Sequence, residues 1–468
     1  MSQSEHAKRF DLRRFSFLVI YVVFFAVLNE TVFNVSIPKI AEQYGLAPTE
    51  VSWVVTAFII SFGVGQIIFG KLADVYELRR LMIIGILTYA GSSLLGALLE
   101  AWYPAVIASR VIQGAGASAL PALTMVIVAR YFTPEQRGKL FGLFTSTASF
   151  AVGVGPVIGG FVSRYLHWSF LLLIPLFTVV TIPAFLKWLP EEESKRTDAK
   201  VDIAGAALLA IGFTALVMFF TLMDWIWLVA SAVLATWFVF HIRRVPEPFV
   251  DPGLFRNRKY TFGVGMGFLL FGAIFGVIFL IPLMMTHVHG LTTDRIGLIM
   301  FPGAFSAVIF GTVAGHLTAK KGDYAVVLTG LGLASGSLFL LAGVTDRWVW
   351  LISGVLVLLY IGQSFVQTAM AETITRTLQP ERIGVGMGFY GLSAFISGAI
   401  GTAGVAALLS SGLFDFRLLP FGLEKAALPY SNLFLVFALM VAASGLVYAS
   451  VFGKGREPGP VRTASDPR

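Results

Sequence analysis

Phe15-Ser16-Phe17-Leu18-Val19-Ile20-Tyr21-Val22-Val23-Phe24-Phe25-Ala26-Val27-Leu28-Asn29-Glu30-Thr31-Val32-Phe33-Asn34-Val35-Ser36-Ile37-Pro38 is an apolar run interrupted by one charge. A membrane-spanning helix needs about 20 predominantly apolar residues, and this stretch supplies them. It exceeds the ~7–15-residue apolar core of a secretory leader and has no clear cleavage site, so it reads as a retained first helix. Glu30 stands inside the run. A carboxylate at membrane depth is costly, so it faces a cavity or a partner.

The rest of the chain repeats the pattern. Of 468 residues, 57% are hydrophobic and 13% charged, with a mean hydropathy of +0.82. A soluble domain carries about 25% charged residues. The absence of cysteine excludes disulfides and thiolate metal sites. The net charge of +8 does not point to nucleic acid, because the basic residues sit in short clusters between apolar runs. Fourteen such runs are expected, the first at 15–38 and the last at 432–453, with runs at 203–222 and 225–242 between them. Of the 34 Lys and Arg residues, only Lys39, Arg164, Arg295, Arg347, Arg417 and Lys425 fall on the side opposite the termini, and Arg110 lies within a run. That asymmetry places both termini in the cytoplasm.

An internal repeat is also visible. Pro134-Glu135-Gln136-Arg137-Gly138 recurs as Pro380-Glu381-Arg382-Ile383-Gly384, and Gly70-Lys71-Leu72 as Gly315-His316-Leu317. Gly155 corresponds to Gly401. The expected fold is an all-α membrane protein of fourteen transmembrane helices. It divides into a six-helix bundle over 1–190, an inserted two-helix hairpin with linkers over 191–260, and a second six-helix bundle over 261–468. A parallel repeat with a substrate site between its halves is a transporter architecture.

Three motifs carry the chemistry. Gly70-Lys71-Leu72-Ala73-Asp74-Val75-Tyr76-Glu77-Leu78-Arg79-Arg80 forms a cytoplasmic turn. Asp74 there can pair with a loop arginine or the positive end of a helix as a conformational latch; the alternative is a loop that only sets topology. Arg110-Val111-Ile112-Gln113-Gly114-Ala115-Gly116-Ala117 places a cation in apolar sequence. Glu30 and Arg110 fall at similar depth, so they can interact, either as a proton-loading switch or as a static ion pair. Gly153-Val154-Gly155-Pro156-Val157-Ile158-Gly159-Gly160 sets Gly155 and Gly159 four apart as a close-packing surface, with Pro156 permitting a bend. Gly70, Asp74, Arg80, Gly155, Pro156, Gly159 and Gly160 are thus the conformational candidates. Glu30, Arg110 and Asp74 are the proton-coupling candidates, and Glu30, Asn34, Gln113, Gln363 and Gln367 the substrate contacts. Gln363 and Gln367 share a helix face and either line a cavity or bond neighbouring helices. His287 and His289 are weak metal ligands at most, and no metal site is expected. The lack of a phosphate-binding Gly-x-x-x-x-Gly-Lys-Ser/Thr motif points to an ion gradient as the energy source.

These motifs resemble those of the major facilitator superfamily. The Gly-Pro motif is similar to that of its drug–proton antiporters, and Leu28 to Pro38 and Pro248 to Asn257 resemble segments of the fourteen-helix members. Leu28-Asn29-Glu30, Val128 to Tyr131, His167-Trp168-Ser169, Asp251 to Leu254, Arg417 to Pro420 and Tyr430 to Leu433 resemble the Gram-positive tetracycline efflux proteins. That resemblance implies antiport of a divalent metal–tetracycline complex against protons and, in some members, of sodium or potassium. Those proteins carry acids where this chain has Val152, Gly398 and Ala319, and a glycine where it has Glu77. The expected function is proton-coupled efflux of amphipathic drugs, tetracycline-like or multidrug, by alternating access. A monovalent cation–proton antiporter is the alternative. No enzymatic activity, cofactor, nucleic acid or obligate protein partner is expected. The partners are a small molecule, protons and the lipid of the plasma membrane.

Overall fold

The computed structural model describes residues 12–132, 134–189, 202–246, 248–379, 383–418 and 424–453. Fourteen long helical segments account for most of them: α1 Leu12–Tyr44, α2 Trp53–Val75, α3 Leu78–Leu98, α4 Tyr103–Tyr131, α5 Pro134–Tyr165 and α6 Trp168–Trp188; α7 Ile203–Leu222 and α8 Trp225–Ile242; then α9 Arg258–His287, α10 Thr293–Lys321, α11 Asp323–Val344, α12 Val349–Arg376, α13 Ile383–Ser410 and α14 Leu428–Phe452. The first two-thirds of α6 winds as a 3₁₀ helix. Helices extend past several apolar runs because backbone hydrogen bonding continues beyond the hydrocarbon edge. α1, for example, carries Lys39 in its last turns.

Thirteen of these segments, among the described residues, are long and apolar enough to cross a membrane. The fourteenth, α5, is 32 residues long and rich in Gly, Ser and Thr. Those small residues face other helices: a Cβ at Gly155 or Gly159 would collide with Thr31 or the Val32 carbonyl of α1, and one at Gly160 with the Thr293 carbonyl of α10. Thus the small residues of α5 permit close backbone contact on two sides.

The packing repeats along the chain. In the first six helices α1 packs on α5 and α6, α2 on α4, and α3 on α4 and α6. Eight helices later, α9 packs on α13 and α14, α10 on α12, and α11 on α12 and α14. The largest seams between the two sets are α5 on α10 and α2 on α13, which exchange under the same offset; α1 also touches α9 and α10. Gly401, the counterpart of Gly155, is likewise crowded, by the backbone of Gly272 on α9 where Gly155 meets the Thr31 side chain.

α7 and α8 pack on each other, and α7 also touches α2 and α13. Their ends are tied by Asp202, which caps α7. Its carboxylate accepts from Gly205 N (2.8 Å), His241 Nε2 (2.7 Å) and Phe249 N (2.9 Å). Burial works to raise the Asp202 carboxyl, but the bonds from His241, Gly205 and Phe249 outweigh it and hold it below its usual range. Lys71 Nζ reaches the same loop, donating to Pro248 O at 2.7 Å. The acidic linker Glu191-Glu192-Glu193 and the repeat residues Pro380, Glu381 and Arg382 lie outside the described residues.

Candidate functional site

Arg110 on α4 is fully buried. Its Nε donates to the Val54 carbonyl (2.8 Å), and Nη1 donates to Asn29 Oδ1 (2.5 Å) and Gln113 Oε1 (2.9 Å). The rings of Phe33 and Phe58 stand over the guanidinium, 4.3 and 4.2 Å from centroid to Cζ. Gln113, also fully buried, donates through Nε2 to Ser93 Oγ (3.0 Å) and Leu172 O (3.3 Å). One arginine and one glutamine thereby join α1, α2, α3, α4 and α6. Every acceptor is neutral, so the cation is held by dipoles and π faces rather than by a counter-charge. Nη2 of Arg110 and Nδ2 of Asn29 have no hydrogen-bond partner.

Glu30 follows Asn29 on α1. It is part-exposed and within electrostatic reach of Arg110. Its carboxylate makes no ion pair or hydrogen bond among the described residues, so the direct Glu30–Arg110 bond open to the sequence is not formed in this conformation. Asn29 takes that place. Asn34 lies one turn beyond Glu30 and is nearly buried.

The other candidates separate. Gln113 spends both ends of its amide on protein and lines no described cavity. Gln363 lines a small apolar space of about 30 Å³ between α9, α11, α12 and α14, roomy enough for about one water. Gln367 is exposed. Arg80 pairs with Glu77 (Nε–Oε2 2.7 Å), while the side chain of Asp74 lies outside the described residues. Arg130 Nη2, on α4, donates to the Ala73 carbonyl beside it (2.8 Å). Gly70 and its counterpart Gly315 both face open space. His287 bonds Tyr430 (2.5 Å) and His289 bonds the Thr345 carbonyl (2.8 Å).

The Gly-Pro motif works on two faces rather than the one its Gly155–Gly159 spacing suggests. Gly155 and Gly159 meet α1, whereas Gly153, Pro156 and Gly160 meet Ala304, Gly297 and Thr293 of α10. Thr293 Oγ1 donates to the Gly160 carbonyl (3.2 Å). On the α1 side, Ser36 and Ser163 hydroxyls bond at 2.5 Å and Lys39 Nζ donates to Ser163 O at 3.0 Å. The sequence reading missed Asn29, Phe33 and Phe58 as the partners of Arg110. The signal for two of them was present, since Asn29 and Phe33 share a helix face by their i, i+4 spacing.

Repeated helix packing, buried polar groups in the first half and seams closed by glycine fit a membrane transporter. The chain belongs to the Major Facilitator Superfamily, whose profile matches residues 19–402. It is 25% identical over 417 residues to the multidrug transporter protein MdtP of Bacillus subtilis, covering 86% of this chain and 77% of that protein. It is also 25% identical over 415 residues to the riboflavin transporter RibZ of Clostridioides difficile, covering 84% and 87%. The crystal structure of the human organic anion transporter MFSD10 (TETRAN) superposes with a TM-score of 0.62 at 16% identity, over 93% of this chain and 99% of that one; a likeness at that identity speaks for the fold.

Proposed function

We propose that this transporter is a proton-coupled antiporter exporting amphipathic, drug-like molecules, multidrug or tetracycline-like in range. Residues 1–190 and 261–468 act as two six-helix bundles that rock about the α5–α10 and α2–α13 seams, with α7 and α8 as an inserted hairpin in 191–260. The observation that carries the reading is Glu30, a carboxylate within α1 that makes no ion pair or hydrogen bond among the described residues, beside an arginine held by neutral groups. A carboxylate so placed is free to take a proton or a cationic substrate without first breaking an ion pair. Asn34, one turn on, extends the same surface. No cofactor enters the cycle; the proton gradient drives it, and a substrate carried as a divalent metal complex would come with its own ion.

The seam geometry supports a defined state. Between α5 and α10 the Gly160 and Gly297 ends are in backbone contact, whereas Gly70 and Gly315, at the opposite ends of α2 and α10, face open space. The name of MdtP supports drug transport; that of RibZ shows that a vitamin transporter lies at the same distance, so substrate is a matter for assay. Gly398 is crowded by the Phe275 ring, 2.9 Å from a Cβ placed there. An acid at that position, as the tetracycline and cation exchangers carry, would have to displace the ring.

The test is substrate uptake into everted vesicles energised by a proton gradient. Glu30→Gln is expected to abolish gradient-driven uptake while the protein stays folded and inserted. Full gradient-driven uptake by the variant would overturn the assignment. Proton exchange on adding sodium or potassium, without drug uptake, would replace it with cation–proton antiport.

A further inference from the structure

We infer that the chain carries a site for an anionic phospholipid at the seam between the α7–α8 hairpin and helices α9 and α13, apart from the Glu30 region. A cavity of about 360 Å³ lies there, lined by Gly212, Phe238, Phe255, Thr261, Gly265 and Phe268 among others. That volume falls within the ~300–1,000 Å³ range of ligand pockets. Its walls are almost wholly apolar, and their hydroxyl protons are already engaged. The Ser231 hydroxyl donates to Gly212 O (3.0 Å), Thr261 to Asn257 O (3.1 Å) and Ser393 to Tyr390 O (2.8 Å). A guest with no hydrogen-bonding demand, a hydrocarbon chain, fits such a wall.

The position says where the hydrocarbon comes from. Helix α8, one wall, is the least buried of the spans, so the cavity borders the bilayer directly. From Thr261 to Phe268 the cavity follows α9 for about 10 Å at ~1.5 Å per residue, a depth suited to part of an acyl chain.

The mouth says which lipid. One helical turn before Thr261 stand Arg258 and Lys259, preceded by Arg256. Just beyond Phe238 on α8 stand Arg243 and Arg244. All five are exposed, and none makes a side-chain hydrogen bond or ion pair among the described residues. Two acids nearby among the described residues are engaged: Asp202 with His241 and two backbone amides, and Asp251 with Gly253 N; Glu247 lies outside the described residues. Five free cations around the open end of a hydrocarbon slot match a phosphate headgroup with an attached acyl chain.

The experiment uses the full-length protein in detergent with phosphatidylglycerol, phosphatidylcholine of the same chains, and inorganic phosphate as probes. Retained lipid is read by native mass spectrometry and the melting temperature by intrinsic fluorescence. Phosphatidylglycerol is expected to be retained and to raise the melting temperature, phosphatidylcholine to be retained less, and phosphate alone to do neither. The Cβ of Gly265 would meet nothing within 4 Å, so Gly265→Leu fills the slot and improves the helix. It should lose retained phosphatidylglycerol while melting at or above wild type without lipid. Arg256→Ala/Arg258→Ala/Lys259→Ala, a surface change that leaves packing alone, should lose the preference for phosphatidylglycerol by about fivefold per cation. Lys320→Ala/Lys321→Ala, the same kind of charge change at the end of α10, should keep it. Equal retention of the two lipids, a phosphate effect matching the lipid effect, equal loss in the Lys320/Lys321 control, or wild-type retention by Gly265→Leu would each overturn the site.

Discussion

Gln113 was a candidate substrate contact by sequence and is a buried strut by structure, and Gln113→Leu separates the two roles. The substitution keeps roughly the volume and removes the amide. Lost with it are one hydrogen bond from a charged donor, Arg110 Nη1 at 2.9 Å, and two neutral ones, to Ser93 at 3.0 Å and Leu172 O at 3.3 Å. A bond involving a charged group contributes ~1.5–3 kcal/mol and a neutral one ~0.5–1.5 kcal/mol, so the variant should be destabilised by ~2.5–6 kcal/mol. With unfolding entropy scaled to a chain of this length, 1 kcal/mol corresponds to about 1 °C, giving a fall of about 3–6 °C. The assay is a thermal melt of purified protein in one detergent. Gln367→Leu serves as the control, because Gln367 is exposed and exposed substitutions away from special features stay within ~0.5 kcal/mol. A Gln113→Leu variant that melts with the wild type yet loses substrate binding would refute the strut and restore the substrate-contact reading.

Two other perturbations test the packing and the hairpin. Gly159→Ala would push a methyl into the Val32 carbonyl and should destabilise by about 1–3 kcal/mol or more. Gly70→Ala meets open space and should hold or raise the melting temperature; equal melts for the two variants would contradict the seam as described. For Asp202, the depressed native carboxyl means that its stabilisation is present above the ordinary value of about 3.8 and is lost as pH falls through the lower native value. Melts between pH 7 and pH 3 should therefore show an acid-side loss in the wild type that Asp202→Asn shows less of. Identical acid profiles would remove Asp202 from the account.

The number of helices, their order and the repeat were legible because each rests on the local distribution of apolar and basic residues. The hairpin helices α7 and α8 begin and end where hydropathy changes, at Ile203, Leu222, Trp225 and Ile242. α5 was legible from its apolar run over 140–163 and from the Gly-Pro motif within it, but the sequence did not show that its small residues close against two neighbours, α1 and α10. The polar site was legible only in part. Arg110 and Glu30 stand out as charges in apolar sequence, but which neighbour satisfies Arg110 depends on the rotation of α1 about its own axis. A shift of one residue along a helix turns the side chain by about 100°. That rotation decides between Asn29 and Glu30, and it is set by the contacts of Thr31 and Val32 with Gly155 and Gly159, far along the chain from either.

The same contacts connect the carboxylate to the seam that the proposed rocking motion would open. α1 is locked to α5 by backbone approach at Gly159, by the Ser36–Ser163 bond and by Lys39 on Ser163 O. α5 meets α10 through its other face, at Gly153, Pro156 and Gly160. A rocking motion that opens the α5–α10 seam breaks the Thr293–Gly160 bond but leaves α1 attached to α5. Glu30 and the Arg110 cluster then travel together as parts of the first six helices, and what changes for Glu30 is its exposure toward the second six. A proton taken up or released there alters the free energy of only those states in which the α1 surface is covered or wetted. On the proposed antiport reading, coupling needs no rearrangement of the Arg110 hydrogen bonds, in keeping with an arginine tied to three neutral acceptors and two aromatic rings rather than to the acid itself.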